Sequence, residues 1–475
     1  MSTNIRLSGD VHPRLADGFE RIRREIKLPE EFPKAVLAEA ARVADDPAPA
    51  VRQDLTELPF VTIDPPGSMD LDQALFIEAL GSGYRVWYAI ADVGAFVRPG
   101  GALDAEARLR GETVYLPDGK VPLHPQVLSE GAASLLPGVT RPAAVWRIDL
   151  DAEGGLIGVD VQRSLVRSRE RLDYDYVQAA VDTGTADGTL KLLAEVGRLR
   201  LGLERARGGV TLPTLEQEVV AGDGGYRLEY RAPVPSEAWN AQISLLTGMC
   251  AASMMLDAEI GVLRVLPPPQ PSDLATVRRA ALALGVPWPE GASYGDVVHD
   301  LDPKVPSNAA FLNESKILLR GSGYVAFDGE PPKLAEHSAV AAPYAHVTAP
   351  LRRLVDRYAT EVCLAIAAGE PVPDDVQAAL EDLPEIMSIT GRRANAVERA
   401  SIDLVEAFVL RDRIGQSFDA VVLDIDERRP GGLVQLTDPA VIARCDGSPL
   451  PLGQSVRVRL TQADPNTREV RFTVA

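Results

Sequence analysis

Residues 62–74 read Thr-Ile-Asp-Pro-Pro-Gly-Ser-Met-Asp-Leu-Asp-Gln-Ala, and the fold can be read outward from them. Asp64 ends an apolar strand, PFVTID, and Pro65-Pro66-Gly67 forces a turn. Asp70 and Asp72 follow two residues apart, so on extended backbone both carboxylates leave the same face. Three carboxylates around one turn repel one another strongly in a partly buried site. A hard divalent cation relieves that repulsion, and all-oxygen ligands favour Mg²⁺ or Mn²⁺ over zinc. Asp92, at the end of the apolar strand VWYAIAD, is placed to add a carboxylate or to orient the others. The same residues also suit a plain acidic surface loop. The segment lacks the oxygen-ligand pattern of an EF-hand, and the chain has no G-x-x-x-x-G-K-[ST] phosphate loop.

Around this segment, Leu58 to Leu150 is β-branched and apolar, in runs such as QALFIEAL, YRVWYAIADVGAFV and AAVWRIDLD punctuated by GSG, PGG and PDG, and it reads as a sheet. From about Tyr174 to Ile414 helices dominate, interrupted by the loop VLPPPQPSD. Phe418 to Ala475 is β again, in short strands that fit a five-stranded OB-fold barrel, either an RNA-binding unit or a structural cap. Before the sheet, Leu15, Phe19, Ile22 and Ile26 fall at helical spacing, and KAVLAEAARVADD forms a second helix. The pair reads as a helical hairpin or a helix-turn-helix-like arm.

A basic constellation follows about 280 residues after the acidic one: Tyr344-Ala345-His346-Val347-Thr348-Ala349-Pro350-Leu351-Arg352-Arg353-Leu354-Val355-Asp356. Pro350 is expected to open a helix, with Thr348 near the cap and Arg352 and Arg353 in the first turn. The helix dipole disfavours cations there, so the arginines make sense if an anion such as phosphate is bound. They equally suit pairing with nearby Asp or Glu. His337 and His346 read as structural, and Asp356 as a salt-bridge partner within the helix.

The chain has 475 residues, formal charge −19, and is 46% hydrophobic and 25% charged, the composition of a soluble globular protein with room for several domains. No run of 18 apolar residues and no basic-then-apolar leader is present, so neither a membrane span nor a signal peptide is expected. Three cysteines, Cys250, Cys363 and Cys445, lie far apart, which argues against a disulfide framework or zinc and for the reducing cytoplasm. The acidic balance excludes indiscriminate nucleic-acid binding but not a local basic groove. Arginines cluster at 163–171, 198–207, 352–357 and 457–459, to line such a groove or to pair with neighbouring acids.

In their order and spacing, TIDPPGSMDLDQA, YAIADVGAFV, GETVYLPDGKVPLHPQVLSEGAASLLPG and YAHVTAPLRRLVDRY resemble the motifs of the ribonuclease II superfamily of 3′→5′ exoribonucleases, built around the RNB catalytic domain. The resemblance covers about residues 55 to 475. It implies a multidomain α+β protein: an RNB domain, a mixed sheet surrounded by helices, at 58–415; an S1-type OB-fold barrel at 416–475; and a small helical module at 1–57. It implies that Asp64, Asp70 and Asp72 bind Mg²⁺ or support the catalytic water, that Tyr115 stacks on the 3′-terminal nucleotide, that Arg352 meets the scissile phosphate beside Arg353, and that Glu398 lies near the RNA end.

Departures from the family pattern accompany the match. Gln73 stands where a fourth Asp is usual, and its amide oxygen is a metal ligand without charge. Ala349 and Leu354 replace a Ser and a Tyr, and Gln242 replaces a Glu that contacts the terminal ribose. The 57 leading residues leave no room for two cold-shock domains. The function implied is Mg²⁺-dependent hydrolysis of single-stranded RNA, or of structured RNA with a 3′ overhang, to nucleoside 5′-monophosphates in RNA turnover, by a monomer in the cytoplasm. The alternatives are an RNA-binding protein that keeps the fold without turnover, and a phosphodiesterase of small nucleotides.

Overall fold

The protein is described from a computed structural model over residues 7–8, 13–48, 50–213, 216–222, 225–426 and 429–475. The remaining residues of the 1–57 module, 1–6, 9–12 and 49, lie outside the described residues. A seven-stranded mixed sheet forms the centre. Its middle strands, Gln73–Leu80, Gly83–Ala91, Thr140–Leu150 and Leu156–Arg167, run antiparallel in sequence order. Val61–Ile63 and Glu170–Leu172 extend one edge, and Gln53–Asp54 closes the other in parallel.

Period-two alternation divides the sheet between two cores. Val86, Tyr88 and Ile90 face a cluster shared with the helices Gly188–Ala206, Pro235–Asp257 and Leu354–Ala368. Ala89 and Ala91 face a second cluster, with Phe60, Leu71 and Leu351. Small residues on that face let the helix Lys34–Asp45 approach through Val36, Ala40 and Val43.

The two leading helices do not form a hairpin. The apolar stripe of Pro13–Ile26 (Leu15, Phe19, Ile22) joins a core with the C-terminal barrel and the long helix Leu383–Leu410, while Lys34–Asp45 serves the sheet. Each stripe is buried against its own partner, so the short link between them carries no shared interface.

The barrel is closed, with strands Ser417–Ile425, Gly431–Leu436, Ile442–Asp446, Glu469–Val474 and Ser455–Asp464 in that spatial order. The largely helical middle also holds strand pairs, among them Glu216–Gly222 with Gly225–Arg231, Ile260–Val265 with Gly323–Asp328 and Glu336–His337 with Ala342–Pro343. Among the described residues, no helix is long and apolar enough to cross a membrane.

Candidate active site

The acidic loop joins two neighbouring antiparallel strands of the sheet, so Asp64 and Asp72 stand at its two feet. Its turn is set by Pro66 and Gly67: the Ser68 N–H donates to Pro65 O at 3.1 Å, and Gly67 has the φ of +82° that the third position of a type II turn demands. Beyond the turn, Leu71 is buried, and its N–H donates to Ser134 Oγ at 3.0 Å. Burying Leu71 between them fixes the directions of Asp70 and Asp72.

Asp72 is almost fully buried. Its Oδ1 accepts the Leu351 N–H at 2.7 Å and its Oδ2 accepts Arg352 Nε at 2.7 Å. Asp356 likewise accepts the Ala349 N–H and both Nε and Nη2 of Arg353. These two buried carboxylates hold residues 349–353 as a turn. The helix therefore starts at Leu354 rather than at Pro350, with Arg353 at its cap and Arg352 before it. The arginines face carboxylates across the turn instead of opposing the dipole from within it.

Burial pushes the Asp72 carboxyl up to about 7 and that of Asp64 up to about 6, against the pull of Arg352 in both cases. Asp64 Oδ2 is buried without a hydrogen-bond partner. Such an orphaned acceptor is costly unless something positive comes to it. Asp70 sits between the two: its Oδ2 accepts the Tyr115 hydroxyl at 3.2 Å, and its Oδ1 lies 2.9 Å from Lys120 Nζ.

Tyr115 belongs to a short hairpin, Val114–Leu116 with Gly119–Val121. Val114, Leu116 and Val121 go into the barrel-side core, and Tyr115, 47% exposed, is left facing outward. It lines a cavity of about 520 Å³ together with Arg352, Arg353, Glu398, Glu112 and Tyr324. Arg352 bonds to Asp72 through Nε alone, so its terminal nitrogens take no bond among the described residues.

Other expected residues are placed differently. Gln73 is engaged at both ends of its amide, donating to Thr348 O at 2.7 Å and accepting the Tyr88 hydroxyl at 2.6 Å. Gln242 points to Glu204 on the neighbouring helix, away from the cavity, while Ser244, on the other side of the same helix, meets Thr348 at 2.8 Å. Asp92 is not with the other aspartates. It caps residues 93–95 and joins a separate network with Arg163, Arg52 and Glu361.

Much of the arginine supply is also committed elsewhere. Arg200 and Arg207 bond to backbone carbonyls, Arg205 pairs with Asp300, Arg357 with Asp104 and Arg457 with Asp419. Arg200, Arg207 and Arg357 are thereby taken up inside the fold, whereas Arg205 and Arg457 pair at the exposed surface. His337 and His346 both border the cavity. His346 Nδ1 lies 2.7 Å from the Tyr324 hydroxyl, and burial holds the ring well below the usual histidine range.

Tyr174, Lys120 and Tyr324 were not singled out from the sequence. Tyr174, whose hydroxyl lies 3.4 Å from Asn240, feels the charge of Asp64. For Lys120 a signal existed, since the Pro-Asp-Gly turn after Tyr115 implies a hairpin that sets Lys120 opposite it. No local pattern linked Tyr324 to His346.

Residues 52–366 match the RNB domain family, and residues 416–475 match the RNase II-type exonuclease C-terminal S1 domain. The chain belongs to the RNB family. Ribonuclease R of Escherichia coli is 27% identical over 502 residues, covering 95% of this chain and 61% of the relative, so the chain spans about three-fifths of that protein's length. Among solved structures, Mycoplasma genitalium RNase R in complex with ribose-methylated single-stranded RNA superposes with a TM-score of 0.86 at 19% identity, over 98% of this chain and 78% of that one. Yeast Ssd1, described as a pseudonuclease, superposes with a TM-score of 0.75 at 19% identity, over 95% of this chain and 58% of that one. The RNB architecture, with its S1-type barrel, therefore carries the cavity and the acidic loop described above.

A divalent metal fits this RNB site in a particular way. Among the described residues no group of three or more His, Cys, Asp and Glu side chains converges as a cage. Mg²⁺ does not need one, because it keeps several waters and is held by one or two carboxylates plus substrate phosphates. Asp64, with its orphaned buried oxygen, would supply such a carboxylate.

Proposed function

We propose that the chain is a Mg²⁺-dependent exoribonuclease that hydrolyses single-stranded RNA, including 3′ overhangs of structured RNA, in the 3′→5′ direction to nucleoside 5′-monophosphates. The observation that carries this reading is the unsatisfied, buried Asp64 oxygen within electrostatic reach of both Arg352 and Asp70. Asp64 would hold the metal, beside Asp70, whose oxygens are engaged by Tyr115 and Lys120. When bound there, Mg²⁺ activates the attacking water and offsets charge at the phosphorus.

The protein's own groups do the rest. Asp72 fixes the guanidinium of Arg352 through Nε, so its remaining nitrogens are oriented before substrate arrives and meet charge that develops on the phosphate. Tyr115 offers an exposed ring on which the terminal base stacks without regard to sequence. Arg353, Glu398 and Glu112 border the cavity behind it and bound the space left for the last nucleotide. Thr348 and Tyr88 hold Gln73, which thereby steadies the end of the acidic loop rather than offering a charge.

A second reading, an RNA-binding protein without turnover, is favoured by one feature: Gln73 is uncharged and both ends of its amide are taken. One assay separates the two. End-labelled single-stranded RNA is incubated with the full chain and Mg²⁺, then with EDTA, then with Asp72→Asn. Mononucleotide release that stops in both controls supports the hydrolase. Release that survives EDTA contradicts it, and RNA binding with no release under any condition establishes the second reading.

A further inference from the structure

We infer that Lys120 is a resident cation of the acidic cluster and limits it to one divalent ion, held at Asp64. The inference rests on the metal reading proposed above. Its starting point is how the three aspartates are answered. Asp72 has both oxygens bonded, by the Leu351 N–H and Arg352 Nε. Asp70 also has both oxygens taken, by the Tyr115 hydroxyl and by Lys120 Nζ at 2.9 Å. Asp64 alone of the three keeps a buried oxygen with no partner. Asp72 and Asp70 are thus bonded at both oxygens by groups of the protein itself, and the orphaned oxygen of Asp64 is left for an external cation.

Lys120 is held in place on two sides. It stands directly opposite Tyr115 in the hairpin register, so both side chains leave the face turned to Asp70, while Val114 and Val121 in the next pair go into the apolar core. On its far side Nζ is 2.9 Å from Glu130 Oε1, and Glu130 Oε2 accepts the Gln126 amide at 3.0 Å. Its side chain is only 21% exposed. A divalent ion approaching Asp70 from the hairpin side meets this ammonium at contact distance, where like charges repel strongly and solvent screens little. Removing the ammonium while keeping the bulk of the side chain leaves Asp70 with only a phenol, and Asp70 then becomes a metal ligand in its own right.

The test is Mn²⁺ binding to the RNA-free full chain, read by the electron paramagnetic resonance signal of the unbound ion. Wild type should bind one Mn²⁺ per chain. Lys120→Met and Lys120→Gln should each gain a second ion or bind Mn²⁺ about tenfold more tightly, as expected when a like charge leaves a site. Lys120→Arg should keep the single ion, and Asp64→Asn should lose it. Thermal melts identify which of the two neutral variants is folded for the comparison. Two ions in the wild type would overturn the inference, as would an unchanged titration in the folded neutral variant while Asp64→Asn has lost its ion. Wild-type binding by Asp64→Asn would instead show that the metal reading itself is wrong, and the role of Lys120 with it.

Discussion

Arg352 touches Asp72 through Nε, and the choice of atom matters. A guanidinium bonded at Nε still has two terminal nitrogens with which to grip a second oxyanion, and its plane is fixed by the first bond. A lysine at the same position has one nitrogen for both tasks. Arg352→Lys is therefore expected to fold normally and to lower kcat by about 10²-fold, the scale seen when one preorganised donor to a developing anion is lost. Single-turnover RNA hydrolysis measures this directly, and a kcat within a factor of three of wild type would remove Arg352 from the reaction.

At the scale of elements, the hairpin that carries Tyr115 and Lys120 is only six paired residues and is held from outside. Asp118 at its tip accepts Arg23 of the first helix at both oxygens, at 3.0 and 2.7 Å, with the two side chains 10% and 13% exposed. Charged bonds in so little water are worth more than a surface pair. A double-mutant cycle on Arg23→Ala and Asp118→Ala should return a coupling of about 1–3 kcal/mol by denaturant unfolding. Each single variant should raise KM for RNA more than it lowers kcat if, as proposed, the hairpin's Tyr115 is the ring on which the terminal base stacks. A coupling below about 0.3 kcal/mol would show that the hairpin stands without the helix.

These same elements show how far the sequence could be read. The first helix was legible because Leu15, Phe19 and Ile22 recur at helical spacing, but periodicity names no partner, and the barrel it packs against begins almost 400 residues later. The acidic loop was legible because one short segment holds its aspartates and its turn. Gln242 was misplaced because its helix is buried nearly all round, from Trp239 to Met255, so no polar face marks which side fronts the cavity. Asp92 was misplaced because its partners, Arg163 and Glu361, come from distant segments. The helix expected at Pro350 yielded to two buried carboxylates: Asp356 is local, but Asp72 comes from about 280 residues away, a reach that no local propensity reports.

Across the whole molecule, the barrel, the strand Glu216–Gly222 and the long helix meet around one buried acid. Glu406, on the long helix, accepts Gln217 Nε2 at 2.9 Å and the Ile442 N–H of the barrel at 2.9 Å, and burial pushes its carboxyl up to about 8. Burial thus favours its protonated form in the folded protein, whereas in the unfolded chain a Glu titrates near 4.3. Its contribution to stability is thus fully present below the unfolded value and is lost as pH rises toward 8, at about 1.4 kcal/mol per pH unit over that window. Glu406→Gln keeps the accepting oxygen and has no proton to lose. Its melting temperature should match wild type at pH 4 and exceed it by several degrees at pH 8.5. Parallel pH profiles for the two proteins would rule out this junction as a source of alkaline instability.

The long helix Leu383–Leu410 gives the junction a mechanical character. Its 28 residues span about 40 Å, at 1.5 Å per residue. Met387, Gly391 and Glu398 form one wall of the cavity, and Leu404, Val405 and Phe408 are rooted in the barrel core. With no break along that length, the rod is built as a lever: under the proposed function, a strand tugging on the barrel would lean on the chamber that receives its own end.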